Sequence, residues 1–153
     1  MKRIILYCVI LGAVLAVPVE KLDVGKLEPV QAVWMYKLDD QIILETDTDD
    51  LGVGDTADAA LADLEEHCPG IIYLDTAQFL LVSENAVDQI PSLCGHLKDT
   101  VALSCWDGEG SLADAVKYMA SHNNGLQLSK WKEGVKIPVL RLQKIKIKNV
   151  EKN

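Results

Sequence analysis

Between residues 54 and 84 the spacing of apolar positions changes from helical to strand-like. Ala57, Ala60, Leu61, Leu64 and Cys68 recur at helical intervals, and Asp58, Asp63, Glu65 and Glu66 fall on the opposite side, which predicts an amphipathic helix with one face turned inward. Asp55 is positioned to cap that helix, with Asp58 three residues on, where carboxylates meet free backbone N–H groups and the positive end of the helix dipole. Pro69-Gly70 stops it. Two continuous apolar runs come next, 71–74 and 79–82, separated by the polar pair Asp75-Thr76, and such runs predict strands buried on both faces.

On the N-terminal side, residues 30–38 carry the β-formers Val33, Trp34 and Tyr36, and residues 42–46 repeat that character, so a hairpin turning near Asp39-Asp40 is expected. The acidic stretch 47–55 supplies Asp47, Asp49 and Gly52 at positions one, three and six of a calcium-loop template. The match fails at Leu51 and at Asp58, whose side chain is short for the bidentate position, and leaves a turn that uses Gly52 and Gly54 for their backbone freedom.

On the C-terminal side, Ser83 or Asn85 caps a short helix that breaks at Pro91, and residues 100–106 form a strand with Val101, Leu103 and Cys105 on one side and Ala102, Ser104 and Trp106 on the other. Ser111 and Asp114 form a capping-box-like start for a helix with Leu112, Ala115, Val116, Met119 and Ala120 on its apolar side, ended by Asn123-Asn124-Gly125. Residues 126–131 and 136–148 read as a final hairpin that turns at Glu133-Gly134. In the second arm Ile145 and Ile147 alternate with Lys144, Lys146 and Lys148, so one face is apolar and the other cationic. The order β-β-α-β-β-α-β-α-β-β predicts a single α+β (mixed α/β) domain over 30–148, a mixed sheet with helices packed on it, with a tail at 149–153.

The first 16 residues change the setting. Met1-Lys2-Arg3 precedes an apolar run over 4–16, long enough for a signal-peptide core and short of the roughly 20 residues that span a bilayer. A cut after Ala16 is expected, with an uncleaved anchor as the alternative, and residues 17–29 read as a flexible tether. Cys8 lies inside the apolar run without the setting a lipidated cysteine needs. The expected location is extracytoplasmic, secreted or membrane-associated.

Loss of Lys2 and Arg3 would take the formal charge from −8 to −10, which makes nucleic acid a poor partner. The charge is uneven: residues 17–129 hold 21 acidic and 5 basic side chains, and residues 130–153 hold 8 basic and 2 acidic. Lys144, Lys146 and Lys148, with the amphipathic ring of Trp131 nearby in sequence, are therefore candidate contacts for an anionic surface. The competing reading is a solvated strand face that complements the chain's own acidic body and discourages edge pairing.

No residue pattern supplies catalysis. His67, His96 and His122 stand alone near helix ends, Asp75 lies in a polar turn, and no phosphate-loop, nucleophile-elbow or dinucleotide signature is present. Cys68, Cys94 and Cys105 form no metal or redox spacing and read as small buried thiols. No catalytic residue, cofactor or metal is expected.

Gly54-Asp55-Thr56, the helix 59–64, the run 70–75 and the strand 79–84 together resemble the N-terminal domain of the Ger(x)C spore-germination proteins, and the strand 101–105 and helix 112–119 fall where that domain continues. The resemblance covers about residues 30–122 and rests mainly on structural punctuation. Family members carry a lipidation cysteine and a large C-terminal domain that have no counterpart here. What the resemblance implies is an exported, non-enzymatic envelope module of a spore-forming bacterium that contacts another envelope protein or the membrane surface. A small secreted ligand-binding protein or hydrolase, with a site assembled by tertiary structure, is the alternative.

Overall fold

The computed structural model describes residues 26–122 and 125–142. The expected leader, residues 17–25 of the tether, Asn123-Asn124, Lys144, Lys146, Lys148 and the tail lie outside them.

Among the described residues, nine strands and three helices alternate in the order β1 (Leu27–Pro29), β2 (Ala32–Leu38), β3 (Gln41–Thr46), β4 (Leu51–Gly54), α1 (Ala57–His67), β5 (Ile71–Tyr73), β6 (Phe79–Val82), α2 (Ile90–Leu93), β7 (Ala102–Trp106), α3 (Leu112–His122), β8 (Leu126–Gln127) and β9 (Val139–Leu140), with short 3-10 turns between some of them. The α+β class read from the sequence is the class observed: one mixed sheet runs β4-β3-β2-β6-β7-β8, and β9 also pairs with β7.

β2, β6 and β7 are mutually parallel and form the middle of the sheet. β2–β3–β4 is an antiparallel meander at one end. The β2–β3 turn is the expected one, with Asp39 and Asp40 at φ 49 and 67, the left-handed pair that a two-residue hairpin requires.

Because side chains alternate across a strand, β6 feeds two cores at once. Leu80 and Val82 join a first cluster with Val33, Met35, Leu44 and the apolar stripe of α1. Phe79 and Leu81 join a second with Trp106, Ala115, Val116 and Met119 beneath α3. α1 and α2 therefore contribute to one face of the sheet and α3 to the other.

Several local expectations shift. The N-cap of α1 is Thr56, whose hydroxyl accepts the Ala59 N–H at 3.2 Å, rather than Asp55. Leu51–Gly54 forms strand β4 rather than a turn, because its glycines let α1 press onto it: a Cβ on Gly52 would overlap the Ala60 carbonyl and lie 2.6 Å from the Leu64 Cβ. Leu27–Pro29, placed by the sequence in a tether, pairs in parallel with β5 as a separate two-stranded sheet. Only Ile72 of β5 is buried, so that strand alternates, whereas all four residues of β6 are buried as expected. The final hairpin does not form among the described residues: β8 pairs antiparallel and β9 parallel with β7. The Ser111 cap holds, with its hydroxyl accepting the Asp114 N–H at 3.1 Å.

Candidate functional site

Three sets of side chains carry chemical potential. The first is built from segments far apart in sequence, which is why no spacing announced it. Glu28 of β1, Asp50 before β4 and Cys68 at the end of α1 bring ligand atoms within 4.8 Å of one another, all half-buried. The Cys68 thiol donates to Glu28 Oε2 at 3.0 Å. Burial, and then that hydrogen bond, push the thiol above its ordinary pKa, so the thiol holds its proton more tightly than a free cysteine does. A divalent cation held there would have to displace that proton.

The second comprises the histidines and Asp75, which the structure does not assemble. His67 Nδ1 lies 2.9 Å from the Asp63 carbonyl and 3.1 Å from Asp63 Oδ1, so hydrogen bonding to the carbonyl and then the carboxylate's charge raise its pKa. His96 Nε2 lies 3.6 Å from Asp58 Oδ1. His122 stacks on Tyr118 with centroids 4.2 Å apart. Asp75 is exposed in a 3-10 turn. A shallow cleft lined by Gln78, Phe79, Thr100, Ala102, Met119 and Ala120 contains none of these groups. The calcium-template residue Asp47 is engaged in holding the meander: its Oδ1 accepts the Gln31 and Ala32 N–H groups at 2.8 and 3.0 Å.

The third is the side of β2–β3–β4 opposite α1. Register places Trp34, Glu45 and Leu51 in one row across the three strands, and Tyr36, Ile43 and Val53 in the next. Trp34 stacks on Tyr36 at 4.1 Å and tilts against Trp106 at 4.6 Å, which ties this surface to the second core. Away from that anchor the face opens to solvent: Leu38, Leu51 and Val53 are 56%, 53% and 40% exposed. Glu45 sits half-buried within it, and burial, with repulsion from Asp49 as the lesser cause, raises its pKa. Tyr36 is raised by burial and by Glu45.

Of the expected surface contacts, Trp131 packs against the first cluster, its N–H bonded to the Leu128 carbonyl at 3.0 Å. The chain then crosses the sheet edge: Ile137 joins the first cluster, and Leu140 and Leu142 join the second. Trp131 and the stretch leading to the three lysines are therefore on opposite sides of the sheet. No helix among the described residues is long and apolar enough to cross a membrane. No family model, curated protein or solved structure matches the chain.

Proposed function

We propose that this protein is an exported, non-enzymatic interaction module whose docking surface is the open face of β2–β3–β4, and whose partner is an envelope protein presenting an extended segment of alternating apolar and basic residues. The observation that carries it is the pair of cross-strand rows, Trp34-Glu45-Leu51 and Tyr36-Ile43-Val53, aromatic at one end and solvent-exposed at the other. Contiguous apolar surface of this kind, rimmed by polar residues, marks an interaction site. A single carboxylate in its middle and the exposed Asp39 and Asp40 at its hairpin end favour a cationic segment over an anionic lipid surface. A flat sheet face suits an extended chain whose alternate side chains point one way. The resemblance of residues 30–122 to germination-protein domains supports the envelope setting.

A photo-crosslinking amino acid at Val53, compared with one at the exposed Glu65 on α1, tests this in the native host. The expected result is an adduct at Val53 alone, mapping to a Lys/Arg-apolar segment of an envelope protein and lost in Ile43→Lys. Equal labelling at both positions, adducts to lipid, or full-length protein confined to the cytosol would overturn it.

A further inference from the structure

Residues 32–54, which form β2–β3–β4 and their turns, carry six acidic side chains and one basic one. Several of these charges are already engaged. Lys37 pairs with Asp40 at 3.2 Å, Asp47 accepts two backbone N–H groups, and Asp50 belongs to the cluster with Glu28 and Cys68. Glu45 differs from them in place and in company. It lies half-buried within the open face, between Trp34 and Leu51 in one cross-strand row, and no cation among the described residues pairs with its carboxylate. A charge held out of water without a partner costs stability that an uncharged residue in the same place would not.

We infer that Glu45 sets the specificity of the docking surface by receiving one arginine of the bound segment, carried among the apolar residues on that segment's sheet-facing side. The inference rests on the docking reading above and names the side chain that the surface selects. Glu45 is the direct antiparallel partner of Trp34, and such partners have Cβ atoms about 5 Å apart, so a cation on this carboxylate also lies beside the stacked rings of Trp34 and Tyr36. A guanidinium suits that position better than an ammonium. It offers a carboxylate two parallel N–H donors, lies flat against aromatic rings, and is more weakly hydrated, so it loses less on leaving water. Leu51 and Val53, both open to solvent, remain for the aliphatic neighbours of the arginine.

The surroundings of Glu45 make this recognition dependent on pH. Tyr36 of β2 and Asp49 in the turn after β3 are the titratable groups that act on it, while β4 contributes the uncharged Leu51. Neither titratable group supplies positive charge. Burial first, and then Asp49, raise the pKa of Glu45, so it loses its charge at a higher pH than an exposed glutamate does. Docking is expected to weaken as pH falls through that value.

The test titrates the full chain with short extended peptides whose sheet-facing side reads valine, arginine, valine, with threonine on the other side. Lysine and citrulline versions serve as comparisons. The readouts are the indole N–H resonances of Trp34 and Trp131, the second as a control packed in the other core. The expected result is movement of the Trp34 signal alone, with the arginine peptide bound about tenfold more tightly than the citrulline peptide, the scale of one charge-assisted hydrogen bond. The lysine peptide should fall between them. Glu45→Gln should abolish the preference and the loss of binding between pH 7 and pH 4, and Glu45→Lys should transfer the preference to a peptide with glutamate in place of arginine. Equal affinity for the arginine and citrulline peptides, a preference that survives in Glu45→Gln, or no binding of any peptide would overturn the assignment. If Val53 still crosslinks to an envelope protein in the native host, and does so equally in Glu45→Gln, the assignment falls and the docking reading stands. Loss of the Val53 adduct in the unmutated chain would end both.

Discussion

The carboxylate of Asp63, on the second turn of α1, accepts the backbone N–H of Val53 at 2.8 Å, so the helix supplies an acceptor to the outermost strand of the sheet. A free strand edge is a template for pairing with other chains, and a carboxylate held on its N–H group discourages that. The same side chain pairs with His67, one turn on, at 3.1 Å.

Asp63→Ala is expected to cost about 1 kcal/mol, the net worth of one hydrogen bond at a part-exposed site. Asp63→Asn, which keeps an acceptor, should cost less. Urea unfolding gives the stability, and amide exchange at Val53 should quicken in the alanine variant while exchange in β6 changes only with overall stability.

Gly52→Ala and Gly54→Ala should each be strongly destabilising, by about 3 kcal/mol, because the added methyl meets helix backbone rather than a yielding side chain. On Gly54 it would lie 2.5 Å from the Ala60 nitrogen. Gly134→Ala provides the contrast: it has open space around it but a φ of +86, so its cost reports backbone conformation alone. Thermal melts of the three variants should rank Gly134→Ala as the mildest.

The pH dependence has a definite sign. Glu45 has a raised pKa in the folded chain, so the folded state holds its proton more tightly than the unfolded one. Its contribution is full below the unfolded value, about 4.3 for glutamate, and is lost as pH rises through the folded value. His67, also raised, contributes stability below about 6.5 that is lost as pH rises through its own folded value. Glu45→Gln should flatten the acidic limb of the stability curve and raise stability at pH 7; His67→Gln should flatten the neutral limb. Urea midpoints measured from pH 4 to pH 8 separate the two.

Cys68, Cys94 and Cys105 all have raised pKa values, with burial as the leading cause in each. Alkylation at pH 8 should be slower at every one than for free cysteine, because the thiolate is the reactive form. Glu28→Gln should speed alkylation of Cys68 by removing the negative charge beside the thiol that disfavours its thiolate, while Cys94 is unchanged. Peptide mass spectrometry after timed iodoacetamide exposure reads both rates.

Elements whose partners are local were legible from residue order. The buried stripe of α1, the turn at Asp39-Asp40 and the Ser111 cap depend on spacing within a few residues. β4 was hidden because Leu-Gly-Val-Gly reads as a turn until α1 is known to lie against it, and β1 because its partner is β5, more than forty residues on. The open face was half legible. Residue order marked Trp34 and Tyr36 as strand residues, but only the fold shows that they share one side of β2 and that α1 covers the other side of the meander. Glu28, Asp50 and Cys68 carried no common spacing to read.

β6 lies between β2 and β7, and its four residues are shared out between the two cores. The two cores are therefore expected to melt together. Opening the cluster beneath α3 would take partners from Phe79 and Leu81 on the strand that holds Leu80 and Val82 against α1, so the two halves of the molecule should unfold as one cooperative unit. The slowest amides to exchange should be those of Leu80, Leu81 and Val82, and their rates should report the global free energy of unfolding.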